Sequence, residues 1–499
     1  EYSLRTEGIN ANVELGDYDN IVQESKRQRN IHATIVFWEL FNLIDGLHFK
    51  IELLDNNEIV RIESKVKAEI DFTLKNLKDC PLIIINKFSS LLFSSFSIGK
   101  SRLDELTFRL NDYLESLSQK NLSLINFDNV IAYLGIDKSY DLRYFYSSKA
   151  PFTVAFFKNY AQFIKPLFMS INGKSKKVLI FDCDNTLWKG VLGEDGFNNI
   201  EMSSETKNGI IFQEVQSIAL SLSNKGVIIG LCSKNNPDDV DEVLTSHPAM
   251  ILKDTYITIK KVNWSDKVSN LKEISKELNI GLDSFVFIDD SEFETNLIKE
   301  QLPEVTVLEV PNKLHKYPIM FRSNLDLFYN SSNTFEDVNK VEMYKQQKHR
   351  EDKKLEFSSL DDYLASLQLK VTVHKNDKSL IPRMAQMSQK TNQFNLTTIR
   401  YTETEIQKMV FSSDTDVYAF SVNDKYGSSG VTGLCILNIG NQAIEINSFL
   451  ISCRIIGRNI EYVLMDYIIQ QMKDHGAKSL SAKFIRTSKN NQVSSFFDD

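Results

Sequence analysis

The sequence predicts an α/β protein in three folded parts, and three observations carry that prediction. First, its 499 residues exceed the roughly 250–300 that one hydrophobic core serves, so length alone suggests about three domains. Second, from Val178 to about Arg322 short apolar runs alternate with helical patterns. That alternation implies a parallel, Rossmann-like sheet with helices on its faces. Third, residues 368–499 mix longer strand patterns with one amphipathic helix, an α+β signature.

In chain order, residues 1–171 read as an α/β domain. The runs ATIVFWEL, PLIIINKF and SLINF are strand-like, and SRLDELTFRLNDYLESL between them is helical. The small, basic stretch NGKSKKV begins the second domain, 172–325, whose strands are VLIF, VIIGLC, SFVFI and VTVLEV. Residues 326–367 form a helical linker, and its charged run VNKVEMYKQQKHREDKKLEF predicts an exposed helix rather than core. In the last domain, 368–499, VYAFSV, GLCILNI and AIEINSFLI are strands. EYVLMDYIIQQMKDHG is a helix with Gly476 at its C-cap.

Composition sets the class. A 42% hydrophobic fraction with 25% charged residues describes an ordinary globular chain, and a net charge of −8 argues against a broad nucleic-acid surface. Nothing approaches the roughly 20 apolar residues of a membrane span, and EYSLRTEGIN lacks a signal pattern. Five scattered cysteines (Cys80, Cys183, Cys232, Cys435, Cys453) point to a reducing, cytoplasmic setting and not to a disulfide framework or structural zinc. Aromatic clusters such as FWELF and YFYSS read as core.

Four signals in the second domain belong together. Asp182 and Asp184 follow the strand VLIF, at the carboxyl end where parallel sheets place ligands. One carboxylate there can attack phosphorus, and the other can act as general acid and base. Thr186 supplies a hydroxyl to hold the loop. Ser233 closes VIIGLC, where it can hydrogen-bond a phosphoryl oxygen, and Lys234 and Asn235 follow it. Lys267 offers an ammonium against developing negative charge. Asp289 and Asp290 end SFVFI, and adjacent acids at the end of a buried strand repel unless a cation compensates them. Hard oxygen ligands beside a phosphate suit Mg²⁺. Any one of these residues is commonplace; their order, each beside an apolar strand or a helix start, is not. The short interval from Asp182 to Ser233 leaves no room for a large cap over the site.

DCDNTLWKGVLGEDG, LCSKNNP, NWSDKVSNLKEISKELNIGLDSFVFIDDSEFE, QKTNQFNLTTIRY and SCRIIGRNIE together resemble the FkbH-like family of haloacid-dehalogenase (HAD) proteins. The resemblance implies an SGNH-like N-terminal domain, a capless HAD domain and a C-terminal GNAT-like domain. It also implies a Mg²⁺-dependent enzyme that takes the glyceryl unit of 1,3-bisphosphoglycerate, removes phosphate, and loads an acyl carrier protein's phosphopantetheine thiol for polyketide-type biosynthesis. It marks Asp182 as nucleophile, Asp184 as acid/base, and Asp289 and Asp290 as metal-side carboxylates; Asp182 and Asp184 are expected to join these two as metal ligands. Ser233 and Lys267 match its phosphate-binding positions, and Thr186, Lys234 and Asn235 complete the expected phosphate-binding set. Lys189 departs from it, since many relatives carry glycine after the tryptophan. No Asp-x-x-His pair supports hydrolase chemistry in the first domain, where Asp141 is followed by Leu, Arg and Tyr.

Loading a carrier thiol is easier if an enzyme thiol takes the acyl group first. Cys183, between the two aspartates, and Cys453, beside Arg454 and Arg458, are the candidates, and a packed, inert thiol is the alternative for either. Cys232 and Cys435 lie in apolar strands and read as core. The stretch RIIGRN resembles a GNAT pyrophosphate loop, with Arg454, Gly457 and Arg458 as pantetheine-binding residues. The polar run QKTNQFNLTT reads either as a substrate-contacting loop or as one tied down by its own hydrogen bonds. The competing functional readings are a small-molecule phosphatase whose last domain binds a partner, and a non-catalytic scaffold.

Overall fold

The computed structural model describes residues 1–17, 20–27, 31–94, 98–330, 343–344, 346, 350, 353, 357, 359–440, 442–487 and 489–497, without the side chains of 360 and 492. The chain divides into two compact units, Glu1–Phe168 with Tyr401–Lys408, and Met169–Arg400 with Met409–Asp499. Most of the 338–357 bridge lies outside the described residues. Within it Tyr344 and Arg350 are buried, so at these two positions the expected exposed face is absent.

The first unit is built on a three-stranded parallel sheet, β1 (Thr34–Val36), β2 (Ile83–Asn86) and β3 (Leu122–Ile125), in that order. Its core joins strand residues such as Ile83 and Ile85 to the apolar faces of α1 (Asn56–Asn76) and α2 (Arg102–Ser116). Both helices begin with a capping box, Asp55 with Glu58 and Ser101 with Asp104, which satisfies otherwise orphaned backbone donors.

The second unit holds two sheets. The central one has five parallel strands: β4 (Val178–Phe181), β5 (Ile228–Ser233), β6 (Ile257–Val262), β7 (Phe285–Asp289) and β8 (Thr306–Glu309). Their order is β6-β5-β4-β7-β8, so the strand order reverses at β4. Ligands bind in the crevice outside the carboxyl ends at such a switch point. Alternate β4 side chains face opposite sides. Leu179 and Phe181 pack against α3 (Gly209–Asn224) and α4 (Pro237–Ser246), while Val178 and Ile180 pack against α5 (Lys267–Leu278) and α6 (Glu292–Gln301). Gly230 permits the close contact of β5 with its neighbours, because a methyl there would sit 2.6 Å from Ile180 Cδ1. Between β4 and β5 stand only a four-residue helix, Leu192–Asp195, and α3, so no cap is inserted.

The other sheet follows the order β10-β13-β12-β11-β9, from β9 (Lys370–Lys375), β10 (Phe394–Asn395), β11 (Thr415–Asp424), β12 (Gly427–Ile439) and β13 (Ala443–Ile451). These strands pair antiparallel, and β14 (Ser479–Ala482) adds a parallel edge on β13. The helix α7 (Leu360–Leu367) precedes β9, and α8 (Ile381–Lys390) precedes β10. Leu464, Ile468 and Met472 of α9 (Ile460–Asp474) close the core, and Gly476 ends α9 in a left-handed conformation as its sequence position predicts. Among the described residues no helix is long and apolar enough to cross a membrane.

Candidate active site at the carboxyl edge of the central sheet

Asp182 leaves the end of β4 with its N–H donating to Ile288 O at 2.9 Å, so parallel pairing with β7 fixes its place. The chain then turns sharply. Asn185 adopts φ +51°, which Asn tolerates better than most residues, and its Oδ1 accepts from the Gly190 N–H at 3.2 Å. Thr186 and Leu187 donate back to Cys183 O at 3.2 and 2.8 Å. Tyr317, fully buried, donates its hydroxyl to Thr186 O at 3.1 Å.

The centre of the site is Lys267, the first residue of α5. Its Nζ donates to Asp182 Oδ1 at 2.8 Å and to Asp289 Oδ2 at 2.6 Å, and all three side chains are at least nine-tenths buried. Burial acts to lower the Lys267 pKa, but the charges of the two aspartates and these hydrogen bonds outweigh it and hold it above its ordinary value. Burial, then the Asp182 charge, push Asp289 above the usual carboxylate range against the opposing effect of Lys267. The same two causes raise Asp290. Ligand oxygens of Asp182, Asp289 and Asp290 lie within 4.8 Å of one another. Three hard donors with one ammonium between two of them leave excess negative charge, and that set fits a divalent cation.

Asp184 departs from its expected place on the metal side. Its Oδ1 accepts from Trp188 Nε1 at 2.9 Å and Leu192 N at 3.0 Å, and its Oδ2 from Asn235 Nδ2 at 2.9 Å. Among the described residues, the carboxylates whose oxygens converge are those of Asp182, Asp289 and Asp290, without Asp184. Burial raises its pKa, partly offset by the Leu192 and Trp188 bonds. Lys234 is also diverted from the expected phosphate set, since its Nζ donates to Glu294 at 2.7 Å. Lys189 reaches back to Asn185 Oδ1 at 2.8 Å, which ties the loop where a glycine could not. Thr186 Oγ1 is buried without a partner among the described residues. Ser233 is buried at the end of β5, hydrogen-bonded to the Cys183 thiol.

Cys183, one of the two candidate acyl acceptors, takes the packed position that was its alternative. It is fully buried within the hydrophobic cluster on one face of the sheet, and burial, with the Asp182 charge, raises its thiol far above the ordinary value. The thiolate that such chemistry needs is disfavoured there. Cys232 and Cys435 are buried core residues, as expected. Cys453 is only partly buried, with its Sγ 3.6 Å from the Tyr344 hydroxyl. Arg454 lines the same cavity as Cys453, but Arg458 does not serve the thiol. Its guanidinium donates to Arg454 O at 2.9 Å and pairs with Asp424 at 3.4 Å. Asp424 also receives Arg350, at 2.7 and 2.9 Å, in a buried charge network. Gly457 adopts φ +81° just before α9.

Sequence reasoning missed Trp188, Tyr317 and Glu294. Trp188 stands four residues after Asp184, a spacing that could have flagged it; Tyr317 and Glu294 come from distant segments and left no local signal.

No family model matches the chain, and no curated protein matches it. Among solved structures, the N-terminal part of the protein BF1531 from Bacteroides fragilis, containing a phosphatase domain and complexed with Mg, is similar to this chain. The identity is 28% and the TM-score 0.53, over 62% of this chain and 81% of that one. Two acetyltransferases align over 26% of the chain. A ribosomal-protein-alanine N-acetyltransferase from Brucella melitensis biovar Abortus 2308 does so at 10% identity, 90% of its own length and a TM-score of 0.21. An aminoglycoside acetyltransferase, HMB0005, from an uncultured soil metagenomic sample does so at 13% identity, 89% of its length and a TM-score of 0.20.

Proposed function

We propose that this chain is a Mg²⁺-dependent phosphoryl-handling enzyme of the FkbH-like, haloacid-dehalogenase kind. The observation that carries the reading is the buried Lys267 ammonium held between Asp182 and Asp289, beside Asp290. Similarity to a phosphatase domain complexed with Mg supports it. Asp182, Asp289 and Asp290 would hold Mg²⁺, which when bound offsets negative charge on the phosphoryl group. Lys267 orients the Asp182 carboxylate and leaves Oδ2 to attack phosphorus, so that a new O–P bond forms as the leaving-group bond breaks. Asp184, its pKa raised by burial, gives the leaving oxygen a proton and then takes one from the water that hydrolyses the aspartyl-phosphate. Asn235 positions Asp184 for this through its bond to Oδ2.

The fuller reading is a glyceryltransferase. It would take the glyceryl unit of 1,3-bisphosphoglycerate, remove phosphate, and load the phosphopantetheine thiol of an acyl carrier protein for polyketide-type biosynthesis. On this reading the N-terminal part is SGNH-like, and the C-terminal sheet is a GNAT-like domain that docks the carrier's arm near Gly457. Cys453 is the thiol for the transfer, supported by its partial exposure where the other four cysteines are buried. The second reading, a phosphatase of a small metabolite with a partner-binding C-terminal part, is favoured by the phosphatase domain of the similar structure. Intact-mass measurement after incubation with 1,3-bisphosphoglycerate, with and without a phosphopantetheinylated carrier, separates them. A glyceryl adduct on the carrier that is lost in Cys453→Ser supports transfer; phosphate release with an unmodified carrier supports the phosphatase.

A further inference from the structure

Away from the carboxylates, a cavity of about 460 Å³ opens at the amino edge of the central sheet, within the range of roughly 300–1,000 Å³ usual for small-ligand sites. Lys177, just before β4, and Asn279, just beyond α5, form one wall. Arg383, Gln393, Cys453 and Lys489 form the other. Five cationic side chains line it against two carboxylates, Asp283 and Glu304, although the chain as a whole carries a net charge of −8.

Two groups show what the cavity lacks. Of the three Lys177 N–H donors, one goes to Lys390 O at 2.8 Å. Burial pushes this ammonium below its ordinary pKa, against the opposing influence of Cys453 and Asp283, so an anion beside it would be favoured. Gln393 Oε1 is buried without a donor among the described residues, and a hydroxyl would satisfy it. The thiol of Cys453 is fixed from both sides, by Tyr344 at its sulfur and by Asn279 Nδ2 donating to its backbone carbonyl at 2.8 Å.

We infer that this cavity is a second ligand site, which binds a short hydroxylated acid carrying a phosphate beside the Cys453 thiol, apart from the phosphoryl site. Lys177 and Asp182 flank β4 five residue steps apart, roughly 16 Å at about 3.3 Å per step. Lys267 and Asn279 bracket α5 twelve steps apart, roughly 18 Å at about 1.5 Å per step. A small molecule seated at Cys453 therefore cannot reach Asp182, and thiol chemistry and phosphate removal take place at different edges of the sheet. The inference deepens the proposed function and rests on it only for the phosphate on the acid.

The test is the rate of Cys453 alkylation by iodoacetamide in the full chain, resolved by peptide mass spectrometry, with EDTA present and 3-phosphoglycerate as the probe. Saturating 3-phosphoglycerate should slow alkylation, and should do so equally in Asp182→Asn. Arg383→Gln, by losing one charge-assisted hydrogen bond, and Gln393→Glu, by setting a carboxylate against an anionic ligand, should each raise the half-protecting concentration by about 10-fold or more. Because Arg383 also donates to Val431 O and its replacement could disturb folding, Gln393→Glu with unchanged thermal unfolding is the deciding variant. Absence of protection in the wild type, or its loss in Asp182→Asn, would overturn the inference. Protection in EDTA, with no phosphate release by the wild type in a parallel assay with Mg²⁺, would leave the cavity standing and remove the phosphoryl reading.

Discussion

Replacing Lys267 by methionine removes the ammonium but keeps most of the buried chain. Asp182 and Asp289 then face each other with no counter-charge, at 7% and 0% side-chain exposure. Breaking a buried ion pair in this way costs about 3–5 kcal/mol, or a fall in Tm of roughly 6–20 °C at ~2–4 °C per kcal/mol for a folded unit of this size. The loss should depend on pH. An acid whose folded pKa is raised is most favourable to folding below its unfolded pKa, and that stability is lost as pH rises toward the raised value. Asp289 is already raised, and removing Lys267 raises it further, so the deficit in Tm should grow between pH 5 and pH 8. Calorimetry in EDTA at both pH values measures this, and the substitution should also lower phosphatase kcat by about 10²–10³. An equal fall in Tm at both pH values, or unchanged kcat, would refute the charge balance described above.

Other expectations follow from the same electrostatics. Asp289 and Asp290 must lose protons to bind a cation, so Mg²⁺ affinity by titration calorimetry should strengthen as pH rises from 5.5 to 8; a flat profile would contradict the ligand set. In the first unit, burial pushes Glu39 up to about 8. Its ionisation therefore costs stability progressively above its unfolded pKa, by up to about 1.4 kcal/mol per pH unit. Glu39→Gln should flatten the pH dependence of Tm between 5 and 8, and parallel curves for the two proteins would count against the assignment. Asn235→Ala removes one donor to Asp184 and should reduce kcat about 10-fold, with little change in KM, in line with the loss of about 1–2 kcal/mol. A change confined to KM would instead make Asn235 a substrate-binding residue.

Much of the carboxylate site was legible because each residue adjoins an unmistakable apolar strand: VLIF is β4 residue for residue, and SFVFI overlaps β7. The edge strand β6 escaped notice because Lys260 and Lys261 interrupt its apolar run, as solvent-facing edge positions permit. β9, β10 and β14 are short or half-exposed for the same reason. The choice between Cys183 and Cys453 could not be made from neighbours in sequence. Acidic residues flank Cys183, but the turn at Asn185 leaves its sulfur in the core. Arg458, five residues after Cys453, is drawn away by Asp424, which lies far from it along the chain and also pairs with Arg350. The cavity at the amino edge was invisible for a related reason, since its walls come from separate stretches near residues 177, 279, 390 and 453. Of these, only the polar run at 389–398 hinted at a ligand-facing loop.

The central claim is that Asp182 carries the phosphoryl group, and acid quenching during turnover of 1,3-bisphosphoglycerate ³²P-labelled in its ester phosphate, followed by peptide mapping, tests it most directly. The account predicts an acid-stable, base-labile label on the peptide containing Asp182, absent in Asp182→Asn together with phosphate release. Phosphate release at full rate by Asp182→Asn would contradict it.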